Sequence, residues 1–330
     1  MKQLADRVVA LGALDEGAHE AAIRALEMAG ERAGAARLRQ QLADLRNPVV
    51  RRASDEPQLI FVVDGGTISP LATLDHGELM SYSTGSGDQE AMADAARRFS
   101  ERYFATRRAY HLYSRGAAEG LALVNRKEEP GCYSMMASFA RVPKGASTLE
   151  GGIATNFDLK SGKPKPAPAL TGEQRRQMVD LVRSVLQSEA VGEGPMNALL
   201  NAHDANGPAG LIIDVGPSGD SPFPVLIATA SFESQSGQDE PELSYHGYEL
   251  RMIAEADKSG RYRLTHKEFN HTEAVQEFSP RRFLTYMDID QDGHDDLVFS
   301  GSGYEWWWYE ALGRSADGWK LLVQGESSGC

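Results

Sequence analysis

The spacing of apolar residues along the chain changes character twice. Leu4, Val8 and Leu11 form a short stripe that Gly12 ends. Ile23, Leu26 and Met28 begin a second stretch rich in Ala, Glu and Arg, and Leu38, Leu42 and Leu45 follow at helical spacing. Residues 1–47 are therefore predicted to be helical. Asn47-Pro48 closes them, because the residue before a proline avoids the α region. This segment reads as a cap packed on its own domain, with a partner-binding hairpin as the alternative. A charged linker around Arg51, Arg52, Asp55, Glu56 and Pro57 follows.

The texture then turns to β. Leu59-Ile60-Phe61-Val62-Val63 is a continuous apolar run, as a buried strand requires, and Asp64-Gly65-Gly66 is turn chemistry. Asp88 is placed to cap a helix through about Phe104, with Met92, Ala95, Ala96, Phe99 and Tyr103 on one face. Tyr110–Tyr113 and Gly120–Val124 predict a hairpin around Gly116. Lysines and prolines between 158 and 170 mark an extended connector. Thr171 and Gln174 then fit a capping box ahead of the stripe Met178, Leu181, Val182, Val185 and Leu186.

From Leu211 onward the pattern is strands: Leu211–Asp214, Val225–Ala230, Tyr248–Ala254, Arg261–His266, Phe283–Asp288, Leu297–Phe299, Tyr304–Tyr309 and Trp319–Val323. A weak repeat runs through them. Gly247-Tyr248-Glu249 and Gly303-Tyr304-Glu305 each open a strand that leads to a glycine turn and an aromatic strand. Two copies are too few for a closed propeller. The expected fold class is α+β: a helical segment over 1–50, an α+β region over 57–165, and a helix plus antiparallel β region over 170–330.

Composition narrows the function classes. Counted with glycine and without tyrosine, apolar residues are about 48% of the 330, within the ~45–50% of folded globular chains. No apolar run approaches the length of a spanning helix. Against 34 Lys and Arg stand 47 Asp and Glu, a net charge of −13. Nucleic acid is therefore not an expected partner, since phosphate contacts need clustered Lys and Arg. Asp6 and Arg7 interrupt the N-terminus, and no signal-type apolar run follows. The chain is expected to be bacterial and extracytoplasmic, periplasmic or secreted, if it is a mature form, and cytoplasmic otherwise. Cys132 and Cys330 cannot make a disulfide framework, and a single bond between them stays open.

The specific chemistry lies in Asp288-Ile289-Asp290-Gln291-Asp292-Gly293-His294-Asp295-Asp296-Leu297. Ca²⁺ takes about 6–8 oxygens. Carboxylates of Asp288, Asp290, Asp292 and Asp296 converge if the chain turns sharply at Gly293, and the His294 carbonyl fits the remaining position. Asp295 is expected to point outward. The flanks look like strands, and Phe299 stands where an EF-hand needs its Glu, so the loop joins two strands.

Asp288-x-Asp290-x-Asp292-Gly293-x-x-Asp296-Leu297 resembles the calcium loop of FG-GAP and VCBS-type repeats, found in integrin-type propellers and many bacterial surface proteins. The resemblance covers about residues 283–310. It implies a strand–loop–strand calcium site that is usually structural, and no enzyme activity.

Two further features bear on function. In Trp306-Trp307-Trp308-Tyr309 the alternation of a strand puts Trp306 and Trp308 on one face, as core or as a ligand platform for carbohydrate. The eight histidines are scattered without an i,i+4 partner and read as surface or hydrogen-bonded groups rather than zinc ligands. Val63-Asp64-Gly65-Gly66-Thr67 lacks the phosphatase nucleophile, and Asn201 to Gly207 is at most a partial acidic turn. The leading expectation is a non-enzymatic calcium-stabilised binding or structural protein with a carbohydrate or protein ligand. The alternatives are a glycan or peptide hydrolase with a structural calcium, and an intracellular protein that binds a partner through its N-terminal helices.

Overall fold

The computed structural model describes residues 15–82, 89–105, 108–126, 135–144, 146, 151–161, 168–201, 210–218, 221–236, 244–316, 318–325 and 328–329. Leu4, Val8, Leu11, Asp88, Cys132, Cys330 and the Ala202–Gly207 part of the acidic turn lie outside them. The Asp15 carboxylate accepts the Gly17 and Ala18 amides and so caps α1 (Glu16–Met28), along which α2 (Arg32–Arg46) folds back. Ala22, Ile23 and Leu26 meet Ala35, Leu38 and Leu42 in a core of their own. Met28 is exposed instead, because two residues carry it about 200° around the helix from Leu26. Leu45 reaches Ala109 and Leu123, and Arg141 donates to the Leu45 carbonyl and to Glu16. The helix pair thus packs on the body of the same chain.

That body begins with a barrel. β1 (Gln58–Asp64) and β2 (Thr67–Asp75) turn on Gly65-Gly66, both at positive φ, as a two-residue hairpin demands. β3 (Glu78–Ser81) extends β2, and α3 (Gln89–Tyr103) follows. β4 (Ala109–Ser114) and β5 (Ala117–Arg126) turn on Arg115-Gly116, and β6 (Ala137–Arg141) and β7 (Gly152–Thr155) complete the set. The order is β1-β7-β4-β5-β6-β2, and β2 pairs again with β1. The antiparallel ladder therefore closes on itself, which removes its edges. Leu59, Phe61 and Val63 point inward with residues from all the other barrel strands, and Ala96, Phe99 and Tyr103 of α3 plug this interior. Ile60 and Val62 point outward into a second core. That is why the run carries no polar residue.

Two sheets stack outside the barrel. The capping box at Thr171 and Gln174 starts α4 (Gly172–Ser188), and α5 (Glu193–Leu200) follows. β8 (Gly210–Val215), β9 (Leu226–Ser236), β10 (Ser244–Ala256) and β11 (Tyr262–Thr272) form an antiparallel sheet with α4 and α5 on one face. β12 (Arg281–Met287), β13 (Asp296–Ser302), β14 (Trp306–Ser315) and β15 (Gly318–Gln324) form the last sheet, and β16 (Ser328–Gly329) pairs with β14.

The last sheet is sandwiched. Met287, Val298 and Ala311 pack on the barrel wall, while Leu297, Phe299 and Leu312 pack on Val225, Ile227 and Ile253 of the other sheet. The chain is α+β, and its sheets are antiparallel. The repeat does not survive in register. Gly247-Tyr248-Glu249 lies inside β10, whereas Gly303-Tyr304-Glu305 lies ahead of β14, where the chain turns.

Candidate metal centre and binding cleft

The Asp-rich loop joins β12 to β13 at the end of the sandwiched sheet. Ile289 is fully buried in the core against the barrel, which turns its neighbours Asp288 and Asp290 together to the other side. Gln291 and Gly293 both take positive φ, so the chain doubles back within a few residues. The aspartates organise that turn. Asp288 Oδ2 accepts the Gly293 amide at 3.1 Å, Asp290 Oδ1 accepts the Asp292 amide at 3.1 Å, and Asp292 Oδ1 accepts the His294 amide at 2.8 Å. Asp296, only 1% exposed, accepts the Ile289 amide at 3.0 Å. A Cβ at Gly313 would collide with the Leu322 side chain and stand 2.9 Å from Asp296 Oδ1, so the strand glycine makes room for both.

Asp288, Asp290 and Asp296 converge, one carboxylate oxygen of each within 4.8 Å of the others. Burial raises the affinity of all three for protons, helped by repulsion from the other aspartates of the loop, Asp292 among them, and Asp296 is pushed up to about 8. Asp288 Oδ1 is buried with no hydrogen-bond partner, an expensive state for an anionic oxygen. Asp292 and His294 stay exposed on the outer turn and are not part of this trio. Asp295 does not point outward. It lies against the barrel, with its carboxylate beside Gly116 in the β4–β5 turn.

The aromatic strand divides its rings. Trp308 is 2% exposed and Trp306 37%. Their rings stack at 4.6 Å, with the Arg281 guanidinium 5.2 Å from the Trp308 ring centre. Trp308 lies across Gly301, its ladder partner, where any Cβ would collide with the ring. Its indole Nε1 donates to Glu310 Oε2 at 3.1 Å. Trp308 is thus core, and Trp306 is its outer cover. Trp307, on the opposite face, lines a cleft together with Tyr309.

That cleft, of ≈ 700 Å³, opens where the barrel and both sheets meet. Asp64 and Thr67 come from the barrel, Thr229 and Ser231 from β9, and Arg281, Arg282, Ser300 and Ser302 from the last sheet. Arg282 holds both Asp64 oxygens at 2.7 Å. A recess of ≈ 210 Å³ adjoins it through Arg281 and is lined by Glu249, Arg251 and Glu268. Burial raises Glu249, whereas the hydrogen bond from His266 and the charge of Arg251 lower Glu268 to about 2. The cleft lies at the Arg281 end of β12 and the aspartate loop at its Met287 end, roughly 20 Å apart along the strand. None of the barrel or β9 residues of the cleft was legible as a site in the sequence, because they come together only through pairing of distant strands. Comparison of the chain with protein-family models, with characterised proteins and with solved structures finds nothing that matches.

Proposed function

We propose that this is a non-enzymatic binding protein whose fold is stabilised by a calcium ion in the β12–β13 loop. One observation carries the reading: Asp288 Oδ1 is buried and unpartnered beside the carboxylates of Asp290 and Asp296. An all-carboxylate donor set suits a hard cation. Asp288, Asp290 and Asp296 would hold it, with Asp292 and the His294 carbonyl as further oxygens of the same turn. The resemblance of the loop to FG-GAP and VCBS-type calcium loops supports the same assignment. Bound calcium supplies positive charge to a loop packed on the barrel through Ile289 and Asp295, and so fixes the β12–β13 hairpin against it.

The ligand belongs in the three-sheet cleft. Trp307 and Tyr309 offer aromatic surface there, among hydroxyls, Arg281 and the Asp64–Arg282 pair. Apolar walls with a few convergent polar groups are what a small-molecule site needs, and this lining suits a carbohydrate.

Thermal unfolding in millimolar Ca²⁺ against a chelator tests the metal. At free Ca²⁺ a hundredfold above Kd, linkage predicts about 2.7 kcal/mol of stabilisation. Asp290→Ala removes most of that response. Asp295→Ala lowers stability equally with and without calcium, because its side chain packs against the barrel turn, and so leaves the response intact. An unshifted wild type that carries no metal by elemental analysis refutes the proposal.

A further inference from the structure

The β10–β11 ladder brings together two histidines that lie 25 residues apart. Tyr248 pairs with His271, which places His246 and Glu273 opposite each other one step beyond the end of the ladder, on the same face. The neighbours on that face set one ring. Phe232 of β9 stacks on Tyr248 with centroids 6.4 Å apart, and Tyr248 stacks on His271 at 4.4 Å with planes 11° apart. His271 is thereby held at the end of an aromatic row that crosses three strands.

Nδ1 of His246 then faces Nε2 of His271 at 3.3 Å. With ring centres 5.6 Å apart and planes 15° apart, the two nitrogens face each other almost head-on, as in a hydrogen bond between one protonated and one bare imidazole nitrogen. Two nitrogens bound to a tetrahedral zinc stand about 3.3 Å apart for Zn–N bonds near 2.05 Å, so an ion can displace the shared proton once the two rings turn their nitrogens toward it. The Glu273 carboxylate lies on the same side, with one ligand atom from each of the three residues within 4.8 Å of the others. His271 and Glu273 are exposed, so an ion reaches the group directly from solvent.

We propose that His246, His271 and Glu273 form a second metal site, one for Zn²⁺ or a similar tetrahedral transition ion. Two imidazoles and one carboxylate are borderline donors that select such an ion over Ca²⁺ or Mg²⁺. Three protein ligands leave the fourth position of the tetrahedron to water. The site shares no residue with the aspartate loop, so the two assignments stand or fall separately.

Titration of Zn²⁺ into the full chain by calorimetry, with Ca²⁺ held saturating throughout, tests it. The expected result is one Zn²⁺ per chain, weakened at least tenfold by His246→Ala and by His271→Gln, and unaffected by Asp290→Ala. Thermal unfolding without zinc checks that each variant is folded, and Co²⁺ in place of Zn²⁺ should give the intense visible absorption of a tetrahedral ion. Zinc that binds both histidine variants as tightly as wild type, zinc binding abolished by Asp290→Ala, or no zinc binding at all would each overturn the proposal.

Discussion

Trp306 and Trp308 sit two residues apart on one face of one strand, yet their surroundings differ. Trp308 is closed in by Gly301 below, Arg281 above and Glu310 at its indole nitrogen. Trp306 covers it from outside and meets solvent. Trp308→Ala therefore removes a fully packed ring and leaves Glu310 short of a donor, at a cost of about 3–5 kcal/mol. Trp306→Ala should cost about 1 kcal/mol or less, as at other exposed sites. Denaturant unfolding of the two variants separates them, and equal losses would contradict the division. Strand alternation made the shared face legible in the sequence. It did not show which end of the strand is covered, because the cover comes from Arg281 on another strand and from a glycine that reads as a turn residue.

Elements built from local signals could be read directly, and elements built from distant pairing could not. The capping box at Thr171, the Leu59–Val63 run and the aspartate loop each lie within a few residues, so sequence spacing is also spatial spacing. β2 was hidden by Pro70, which argues against a strand interior. The fold admits it at a bulge: the register slips as Ile60 pairs with Ala72 and Phe61 with Pro70, so Leu71 is extra. The closed barrel depends on pairs such as Ile60 with Thr155, and the histidine pair on the β10–β11 register, which no local pattern encodes.

The bond between the two stacked sheets was equally invisible. Arg251 of β10 is buried and donates to Glu310 of β14 and, at 2.7 and 2.8 Å, to Glu268 of β11. Arg281 joins at Glu310. Glu310→Gln keeps the shape but leaves Arg251 with Glu268 alone and Arg281 with Glu249 alone as carboxylate partners. The expected loss is about 1–3 kcal/mol by urea unfolding. A loss below about 1 kcal/mol for Glu310→Gln would show that the network does not hold the sheets together.

At the scale of the whole molecule, barrel, sandwiched sheet and outer sheet are joined by polar contacts as well as by their cores. The barrel turn donates from the Arg115 amide to Thr285 Oγ1 at 3.0 Å and from the Gly116 amide to the Tyr286 carbonyl at 2.9 Å. Arg282 of β12 clamps Asp64 at the end of β1. The outer sheet brings Asp214 of β8 toward the same charges, Arg115 and Arg282. Burial nevertheless outweighs both arginines and pushes Asp214 up to about 6, from 3.8 for a solvated carboxylate.

The sign of the pH effect follows from that direction. A carboxyl whose folded pKa is raised binds protons more tightly when folded, so its penalty is absent below the unfolded value. The penalty grows as pH climbs through the window from 3.8 to about 6 and is complete above it. Asp214→Asn keeps the shape without the charge. It should therefore stabilise the protein by about 1–3 kcal/mol at pH 7.5, where wild type carries the buried anion. The gain should shrink by more than half by pH 4.5, where the folded carboxyl is already protonated. Urea unfolding of wild type and variant at the two pH values measures the difference. A gain that is the same at both would mean that the asparagine acts through packing. A loss at pH 7.5 would mean that the two arginines, rather than burial, govern Asp214 where the three sheets meet.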